Sequence, residues 1–311
     1  MKTPARPSCL LESRGISHWF GQKRVLHDVN VRIRRGEFLS LVGPSGCGKS
    51  TYFRTIVGTH LPRAGENRLF HDPARPEGEI VAGPGRDRGI VYQHYSLFPF
   101  FTAQENVAIG LTLDGTSMGH RFLRPFDFRR CEREHMERAA DMLRRVRLGD
   151  ALRLYPHEMS GGMKQRVALA QSMIMQPALI LLDEPFGALD ESTREELQRM
   201  LIELHSENQS AIRRGELPSL TLIIVTHELN EALYVGDRVV GLSQYWDWKS
   251  EGHERCPGAT IVYDKPAPVF EVRDSRDFEQ FKNQRDEIRD VVFEPKTPSR
   301  RGVHVVSENG S

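Results

Sequence analysis

Short apolar runs alternate with amphipathic segments along most of this chain. Five runs each have about the length of one buried strand: FLSLVG, RGIVYQ, PALILLDEP, LTLIIVTHE and DRVVGLS. Apolar positions recur at helical spacing after Lys49, over Glu132–Leu148, after Gly162 and over Thr193–His205. Strands that alternate with helices predict an α/β fold in which a parallel sheet is covered on both faces.

A long excursion separates RGIVYQ from PALILLDEP. It contains the helical patterns at Glu132–Leu148 and after Gly162, and it therefore predicts a helical subdomain. Thr102 and Glu105 fit a capping box with Thr102 as N-cap, which predicts a further helix start. Residues Thr112–Arg130, which have poor periodicity, are predicted to form a loop.

Turn chemistry and polarity mark the remaining segments. The polar stretch Ser206–Ser219 is predicted to be a loop, and Gly58 is predicted to end the helix after Lys49. Two strands are predicted around the turn at Arg34–Gly36. After a turn-rich insertion, QYWDWKSEGHERCPG, the run ATIVYD is predicted to pair back onto the sheet. The chain after Lys296 is polar and is predicted to be disordered.

Composition narrows the class of protein. The 311 residues carry 43 basic and 42 acidic side chains, so the basic excess that is usual in a nucleic-acid binder is absent. The four cysteines are scattered, which disfavours a zinc site or a disulfide framework and fits a reducing cytosol. The start of the chain lacks the apolar core of a signal peptide, and no apolar run is long enough to span a bilayer. We expect any link to a membrane to be made through a partner.

The stretch GPSGCGKST matches the phosphate-loop pattern G-x-x-x-x-G-K-[ST]. Its glycines let backbone N–H groups approach phosphates, Lys49 would reach the β- and γ-phosphates, and the Ser50 hydroxyl would bind Mg²⁺. A chance glycine-rich turn is disfavoured because a buried strand precedes the loop and a helix follows it. The predicted phosphate-binding residues are Gly43, Pro44, Ser45, Gly46, Cys47, Gly48, Lys49, Ser50 and Thr51.

Two acidic residues end the run LILLDEP, at the strand terminus where open parallel sheets place their ligands. Asp183 would hold Mg²⁺, and Glu184 would orient and deprotonate an attacking water. An ordinary acidic turn is the competing interpretation, and the phosphate loop argues against it. Gln93 and His227 also follow predicted buried strands, although a lone Gln or His there is more often a surface or cap residue.

A second anion-binding pattern occurs in EMSGGMKQRVALAQS, where Ser160, Gly161 and Gly162 precede a helical pattern. The free backbone N–H groups of such a helix start can hold an anion. The simpler interpretation is that Ser160 is an N-cap and that the glycines form a tight turn. Taken alone, this stretch does not decide between the two.

The order and wording of these elements closely resemble the nucleotide-binding subunit of an ABC transporter. The family's phosphate loop, Q-loop, signature, acidic strand, D-loop and H-loop correspond to GPSGCGKST, VYQHYS, MSGGMKQR, LILLDEPF, GALD and IIVTHE. The resemblance implies a P-loop NTPase with a mainly parallel sheet core, an antiparallel β subdomain and an inserted α-helical subdomain. It implies an ATPase domain over residues 1–245, with the helical subdomain at about 94–176, and a C-terminal extension over 246–311 that has a helix and a disordered end.

The wording is most similar to importers of nitrate, sulfonates, taurine and related small anions. GPGRDRGIVYQHYSLFPFFTAQENV and DEPFGALDESTREELQ carry this resemblance, and the segment before Phe293 is similar to the C-terminal helix of those proteins. The chain departs from the pattern at Met159, where Leu is usual. Its loops at Thr112–Arg130, Ser206–Ser219 and Tyr245–Pro257 are longer than usual.

The resemblance implies that two copies meet head to tail around two ATP molecules. Each ATP would lie between the phosphate loop of one copy and Ser160–Gly162 of the other. Gln93 would sense Mg²⁺ and the attacking water, His227 would contact the γ-phosphate and steady Glu184, and Asp190 would cross the interface. Phe20 is the candidate to stack on adenine, with Trp19 as the alternative.

The implied partners are transmembrane permease subunits, a second copy of the ATPase and, indirectly, a solute-binding protein, with the chain peripheral on the cytoplasmic face of the inner membrane. The apolar run SLFPFF is predicted to form a groove for a helix of the permease, unless Leu97, Phe98, Phe100 and Phe101 fill the core of the helical subdomain.

Three other functions compete with transport. An ABC-type ATPase of DNA repair or translation usually has coiled-coil insertions or tandem cassettes, which this sequence lacks. A regulatory module that binds ATP without turnover would not need Glu184 and His227. A P-loop kinase or GTPase would not need MSGGM.

Overall fold

The structure, a computed structural model, describes residues 9–72, 75–115, 125–218, 220–267 and 275–295, together with Pro298 and Arg301. The predicted disorder after Lys296 concerns residues that lie, apart from those two, outside the described part of the chain. Within the described part, no helix combines the length and the apolar character that a membrane crossing requires.

A six-stranded sheet forms the centre of the fold, with the order β10–β9–β3–β8–β7–β6. Neighbouring strands are parallel except for β10, which runs antiparallel to β9. Its strands are β3 (Phe38–Val42), β6 (Arg88–Val91), β7 (Leu179–Asp183), β8 (Thr221–Thr226), β9 (Arg238–Ser243) and β10 (Thr260–Pro266). Their burial on both faces explains the unbroken apolar runs of the sequence.

A second sheet is antiparallel and has the order β2–β1–β4–β5. It consists of β1 (Cys9–Phe20), β2 (Lys23–Arg34), β4 (Ala64–Leu69) and β5 (Glu79–Ile80). The strands predicted on either side of Arg34–Gly36 are confirmed, but they belong to different sheets. Helix α1 (Lys49–Val57) packs between the sheets and ends at Gly58, as predicted.

Within the described residues, the excursion between β6 and β7 contains α2 (Ala103–Gly115), α3 (Pro125–Arg145) and α4 (Gly161–Met173), with 3-10 turns at Gly149–Ala151 and Pro156–Glu158. The predicted capping box is confirmed, since Oγ1 of Thr102 accepts from the Glu105 N–H and the Glu105 carboxylate accepts from the Thr102 N–H. Ala139 and Leu143 are buried on one face of α3, and Val146, the residue after its end, is buried with them, as the helical spacing predicts.

Both predicted long loops are wrong in part. α2 continues to Gly115 and α3 begins at Pro125, so both ends of the first predicted loop are helical, while its residues 116–124 lie outside the described residues. Helix α5 (Glu191–Arg213) continues through most of the second. The apolar stripe of α5 stops near Leu204, but its buried face continues through His205 and Asn208, which pair with Asp237 and with the Leu220 carbonyl oxygen.

The C-terminal part packs onto the central sheet. Helices α6 (Leu229–Val235) and α7 (Ser275–Ile288), with the π-helical turn Arg289–Phe293, share an apolar cluster with β9 and β10. The strand predicted at ATIVYD and the helix predicted before Phe293 are therefore confirmed. The turn-rich insertion is anchored by the buried Trp246, whose indole N–H donates to the Gly258 carbonyl oxygen at 3.0 Å.

Candidate functional site

The phosphate loop lies between the buried strand β3 and the first turn of α1. A Cβ at Gly43 would lie 2.2 Å from the Leu242 carbonyl oxygen, so no larger residue fits there. Gly48 has a φ of 111°, a region that favours glycine. These two positions explain why the loop needs its glycines. Because the glycines carry no side chains, nothing covers the backbone N–H groups of the loop at these positions.

Lys49 is held against this loop. Its Nζ donates to the carbonyl oxygens of Gly43 at 2.6 Å and Pro44 at 3.1 Å, and its side chain is buried. The ammonium group therefore lies over the loop rather than in solvent. The neighbouring Cys47 is also buried, and burial raises the pKa of its thiol, so Cys47 is a packing residue of the loop.

A cavity of about 330 Å³ opens beside the loop. It is lined by Phe20, Lys23, Val25, Ser45, Gly46, Gly48, Lys49, Ser50, Thr51 and Glu184. Phe20 is 48% exposed at the end of β1, whereas Arg24 covers the Trp19 ring at 4.9 Å. Of the two aromatic candidates, Phe20 is the one that faces the cavity.

Asp183 and Glu184 follow the buried run of β7, as predicted. Burial raises the pKa of Asp183, and the adjacent Glu184 charge raises it further, while Arg54 and Lys49 act in the opposite direction. Glu184 has a φ of 46°, which is uncommon for a residue with a side chain. The carboxylates form a partly buried acidic pair beside the phosphate loop, an environment that favours a cation.

His227 contacts the second of these acids. Its Nδ1 lies 3.1 Å from Oε1 of Glu184, and because an ionised carboxylate only accepts, Nδ1–H is the donor. Gln93 approaches from β6, since a Cβ at Gly187 would lie 3.6 Å from Nε2 of Gln93 and 4.0 Å from Oε2 of Glu184. The structure thus brings together Gln93, Glu184 and His227, which come from three adjacent strands.

Ser160 occupies a different place. It is the N-cap of α4 and accepts from the Met163 N–H, as the simpler interpretation predicts. Neither Ser160 nor Gly161 nor Gly162 belongs to the lining of the phosphate cavity. Gly162 is required within the chain because a Cβ there would lie 1.9 Å from Cγ2 of Thr193. The two anion-binding patterns therefore do not share this cavity within one copy.

Asp190 is the N-cap of α5 and is fully exposed. It accepts from the Thr193 N–H at 3.0 Å and from the hydroxyls of Ser192 and Thr193, each at 2.8 Å. These hydrogen bonds, the Thr193 N–H above all, lower the pKa of Asp190 to about 2. Asp190 therefore presents a fixed negative charge at the surface.

Three phenylalanines of SLFPFF form an edge-packed phenylalanine patch, Phe98, Phe100 and Phe101, with ring centroids 4.9–5.9 Å apart. Phe98 is 40% and Phe100 67% exposed, so these two do not fill the core, whereas Leu97 packs partly against it. The buried Asn106 holds the backbone of the patch, accepting from the Phe98 N–H and donating to the Phe98 and Phe101 carbonyl oxygens.

Sequence reasoning missed several residues of these sites. Lys23 and Val25 line the cavity from β2, where no pattern in the sequence marks them, and the pairing of β2 with β1 brings Lys23 beside Phe20. Tyr95 lies against the signature turn, because a Cβ at Gly161 would be 3.0 Å from its hydroxyl. Asn106 was the one available sequence signal, because it is an amide within an apolar helical pattern. A buried amide must hydrogen-bond to the backbone around it, which here is the backbone of the phenylalanine patch.

Comparison with protein families gives one match, to the model described as ABC transporter, over residues 26–187. The chain is 39% identical over 237 residues to the nitrate import ATP-binding protein NrtD of Synechocystis sp., covering 75% of this chain and 77% of the relative. It is 36% identical over 260 residues to the sulfate/thiosulfate import ATP-binding protein CysA of Pectobacterium atrosepticum, covering 84% and 70%.

Solved structures of the same architecture include a dimeric, post-hydrolysis ATP-binding cassette bound to ADP and Pi. It superposes with a TM-score of 0.59 at 26% identity, covering 84% of this chain and all of the other. The structure of cbiO1 from Clostridium perfringens, described as part of the ABC transporter complex cbiONQ, has a TM-score of 0.63 at 22% identity over 89% of this chain and 95% of its own, and it supports the fold alone.

Proposed function

This chain belongs to the ABC transporter family and is an ATPase, and from this we propose that it is the ATP-hydrolysing subunit of an importer for a small anion. The relatives named above import nitrate and sulfate or thiosulfate, which are small oxoanions. A nitrate-, sulfonate- or taurine-like anion is the proposed solute. The observation that carries the proposal is the pairing of Glu184 with His227 at the edge of the phosphate-loop cavity.

ATP would enter the cavity with its adenine on Phe20 and its phosphates over the loop Gly43–Thr51. The loop amides and the N-terminal end of α1 favour the negative charge of the phosphates. Lys49 would exchange its two carbonyl partners for the β- and γ-phosphate oxygens, a short movement because its ammonium already lies over the loop. Lys23, at the cavity wall, adds a second cation.

A magnesium ion fits the oxygen donors next to this position. Ser50 at the cavity, the Asp183 carboxylate and the Gln93 amide offer the hard oxygen ligands that Mg²⁺ prefers, with water for the rest. The raised pKa of Asp183 beside Glu184 indicates an acidic pair without a full countercharge. When bound, Mg²⁺ would neutralise phosphate charge, and Ser50, Gln93 and Asp183 would hold it.

Glu184 is the proposed general base for the attacking water. Its carboxylate is held by the Nδ1–H of His227, and Gln93 approaches the same point beside Gly187. Holding a base and a water in one geometry removes much of the entropic barrier to attack on the γ-phosphate. His227, at the same edge, would also contact the γ-phosphate.

The open side of the γ-phosphate requires a second copy. Ser160, Gly161 and Gly162 lie outside the cavity of their own chain, and the start of α4 offers free N–H groups to an anion. In a head-to-tail dimer, this helix start would close the partner's site, and the exposed Asp190 would cross the interface. ATP would then join the two copies, and hydrolysis would release them.

Coupling to transport would run through the phenylalanine patch. Its exposed rings follow directly on Gln93, so a permease helix seated there would contact the loop that carries a proposed Mg²⁺ ligand. In this proposal, the chain is peripheral on the cytoplasmic face of the inner membrane, and a solute-binding protein supplies the anion from the other side. Residues 1–245, with the helical part at about 94–176, would be the ATPase, and 246–311 an extension.

The variant Glu184→Gln tests the function directly. It removes the base and keeps the shape of the side chain, so steady hydrolysis should fall by about a hundredfold or more. In the presence of ATP, the same variant should accumulate as a dimer, which size-exclusion chromatography detects. Glu195→Gln, an exposed change on α5, is the control. Full activity in a monomeric Glu184→Gln variant would refute the proposal.

A further inference from the structure

A polar connection runs behind the site from the end of β8. Thr226, the residue before His227, is buried, and its hydroxyl donates to Oε2 of Glu231 at 3.0 Å. The same hydroxyl oxygen accepts from the Glu228 N–H at 3.1 Å. The segment that carries His227 is therefore fixed on both sides through Thr226.

Glu231 continues the connection across α6. Its side chain is buried, with 8% of the residue exposed, and its Oε1 lies 3.6 Å from Nε of Arg194 on α5. The Arg194 Nε has no hydrogen-bond partner among the residues that the structure describes. The pair is thus close enough to attract but longer than a hydrogen bond, and a small movement of α5 would tighten or break it.

Arg194 ends the connection at the loop before α5. Its Nη2 donates to the carbonyl oxygen of Leu189 at 3.2 Å, and its N–H donates to the Asp190 carbonyl oxygen at 2.9 Å. Leu189 and Asp190 belong to the stretch GALD, where the second copy is expected to make contact. The connection therefore has one end beside His227 and the other at the proposed dimer interface.

We propose that Glu231 and Arg194 form a positioning link that adjusts His227 to the state of the loop at Leu189–Asp190. When a second copy displaces that loop, Arg194 moves with it, and Glu231 carries the movement through Thr226 to His227 and hence to the carboxylate of Glu184. This inference rests on the proposed dimeric ATPase and adds two residues to it, neither of which lines the phosphate cavity.

A purely structural role explains the pair less well. Only Glu231 of the pair is buried, while the Arg194 side chain is 39% exposed, so the carboxylate loses water and a solvated, distant partner returns little of that cost. Burial indeed raises the pKa of Glu231, against the opposing effects of Thr226 and Arg194. The other charged groups that face it are Glu228, which raises its pKa, and His227, which lowers it. Such a costly group fits a place where its charge is used.

The test compares Glu231→Gln and Arg194→Met with the wild-type chain. Gln keeps the acceptor for the Thr226 hydroxyl and removes the charge, while Met keeps the length of Arg194 without its donors. We expect kcat for ATP hydrolysis to fall about tenfold to a hundredfold in each, with the KM for ATP unchanged, because His227 is misplaced while the cavity is intact. The double variant should lose no more than either single variant.

Arg199→Met is the matched control, since Arg199 is on the same helix and forms an exposed pair with Glu195. It should keep the wild-type kcat. A pH series, with kcat referred to the folded fraction at each pH, adds a second readout. As the pH falls and Glu231 takes up a proton, it comes to resemble Gln, so the kcat ratio of wild type to Glu231→Gln should shrink toward one.

Several results would overturn the link. The first is that Glu231→Gln keeps the wild-type kcat at neutral pH. The second is that the fall in kcat of either variant is fully explained by a smaller folded fraction at the assay temperature. A double variant whose fold-loss of kcat equals the product of the two single fold-losses would also contradict the link, because the two residues would then act independently. A wild-type chain that does not hydrolyse ATP would instead refute the proposed function itself, and the inference with it.

Discussion

The imidazole of His227 donates to the carboxylate of Glu184 at 3.1 Å, which joins the ends of the neighbouring strands β8 and β7. The two residues are 43 positions apart in the chain. Parallel pairing of β7 with β8 places them at one edge of the sheet, where Gln93 also arrives from β6. This relationship is the basis of the first prediction.

Replacing His227 with Ala should lower kcat by roughly a hundredfold, because Glu184 loses the donor that orients its carboxylate. ATP binding should be largely retained, since the residues that line the phosphate cavity make most of the proposed contacts to ATP and His227 adds only one, to the γ-phosphate. Hydrolysis and nucleotide binding, measured separately, check both statements. His253→Ala, on the turn-rich insertion, serves as the control. A variant with wild-type kcat would remove His227 from the mechanism.

The acidic pair predicts a pH dependence of magnesium binding. The pKa of Asp183 in the folded chain is raised, chiefly by burial and then by Glu184. A ligand cation favours the ionised carboxylate, so Mg²⁺-dependent ATP binding should weaken as the pH falls through that raised pKa and should release a proton in that pH range. Calorimetry in buffers of different ionisation enthalpy measures the proton. Binding that is independent of pH across the acidic range would contradict the assignment of Asp183.

The same shift predicts an effect on stability with a defined sign. A carboxyl whose folded pKa is raised stabilises the fold at low pH, and this contribution is lost as the pH rises through the folded pKa. At neutral pH, Asp183→Asn should therefore raise the free energy of unfolding of the ligand-free chain. The same variant should abolish Mg²⁺-dependent ATP binding. Urea unfolding of the wild-type chain and of the variant, at neutral and at acidic pH, measures the difference in the free energy of unfolding. A variant less stable than the wild type at neutral pH would contradict the predicted sign of that difference.

The phenylalanine patch predicts a separation between coupling and ATP binding. Changing Phe98 and Phe100 to Ser should lower the free energy of unfolding by no more than about 2 kcal/mol, because Phe100 is 67% and Phe98 40% exposed and only part of each ring is removed from water. Nucleotide affinity should be unchanged, whereas co-purification with the permease subunits should be lost. Leu217→Ser, at another exposed apolar residue, is the control. Unchanged recovery of the permease would remove the patch from the interface.

The sequence predicted the elements of this fold better than their contacts. Buried parallel strands and the phosphate loop have local signatures, so Gly43–Thr51 could be predicted from their own pattern, whereas Asp183 and Glu184 could be predicted only from the end of a buried strand together with the phosphate loop. The extension of α5 could not, because His205 and Asn208 bury polar side chains whose partners are distant in the chain. Lys23 in the cavity and the contact of Glu231 with Arg194 depend on tertiary packing in the same way.

The central claim is that one ATP site is made from two chains, and mixing two inactive variants tests it most directly. Lys49→Ala disables the phosphate loop, and Ser160→Arg blocks the start of α4. In a mixed dimer, one site combines both defects, while the other combines an intact loop with an intact helix start. Each variant alone should be inactive in ATP hydrolysis, and the mixture should recover this activity. A mixture as inactive as its components, under conditions where mixed dimers form, would contradict the claim.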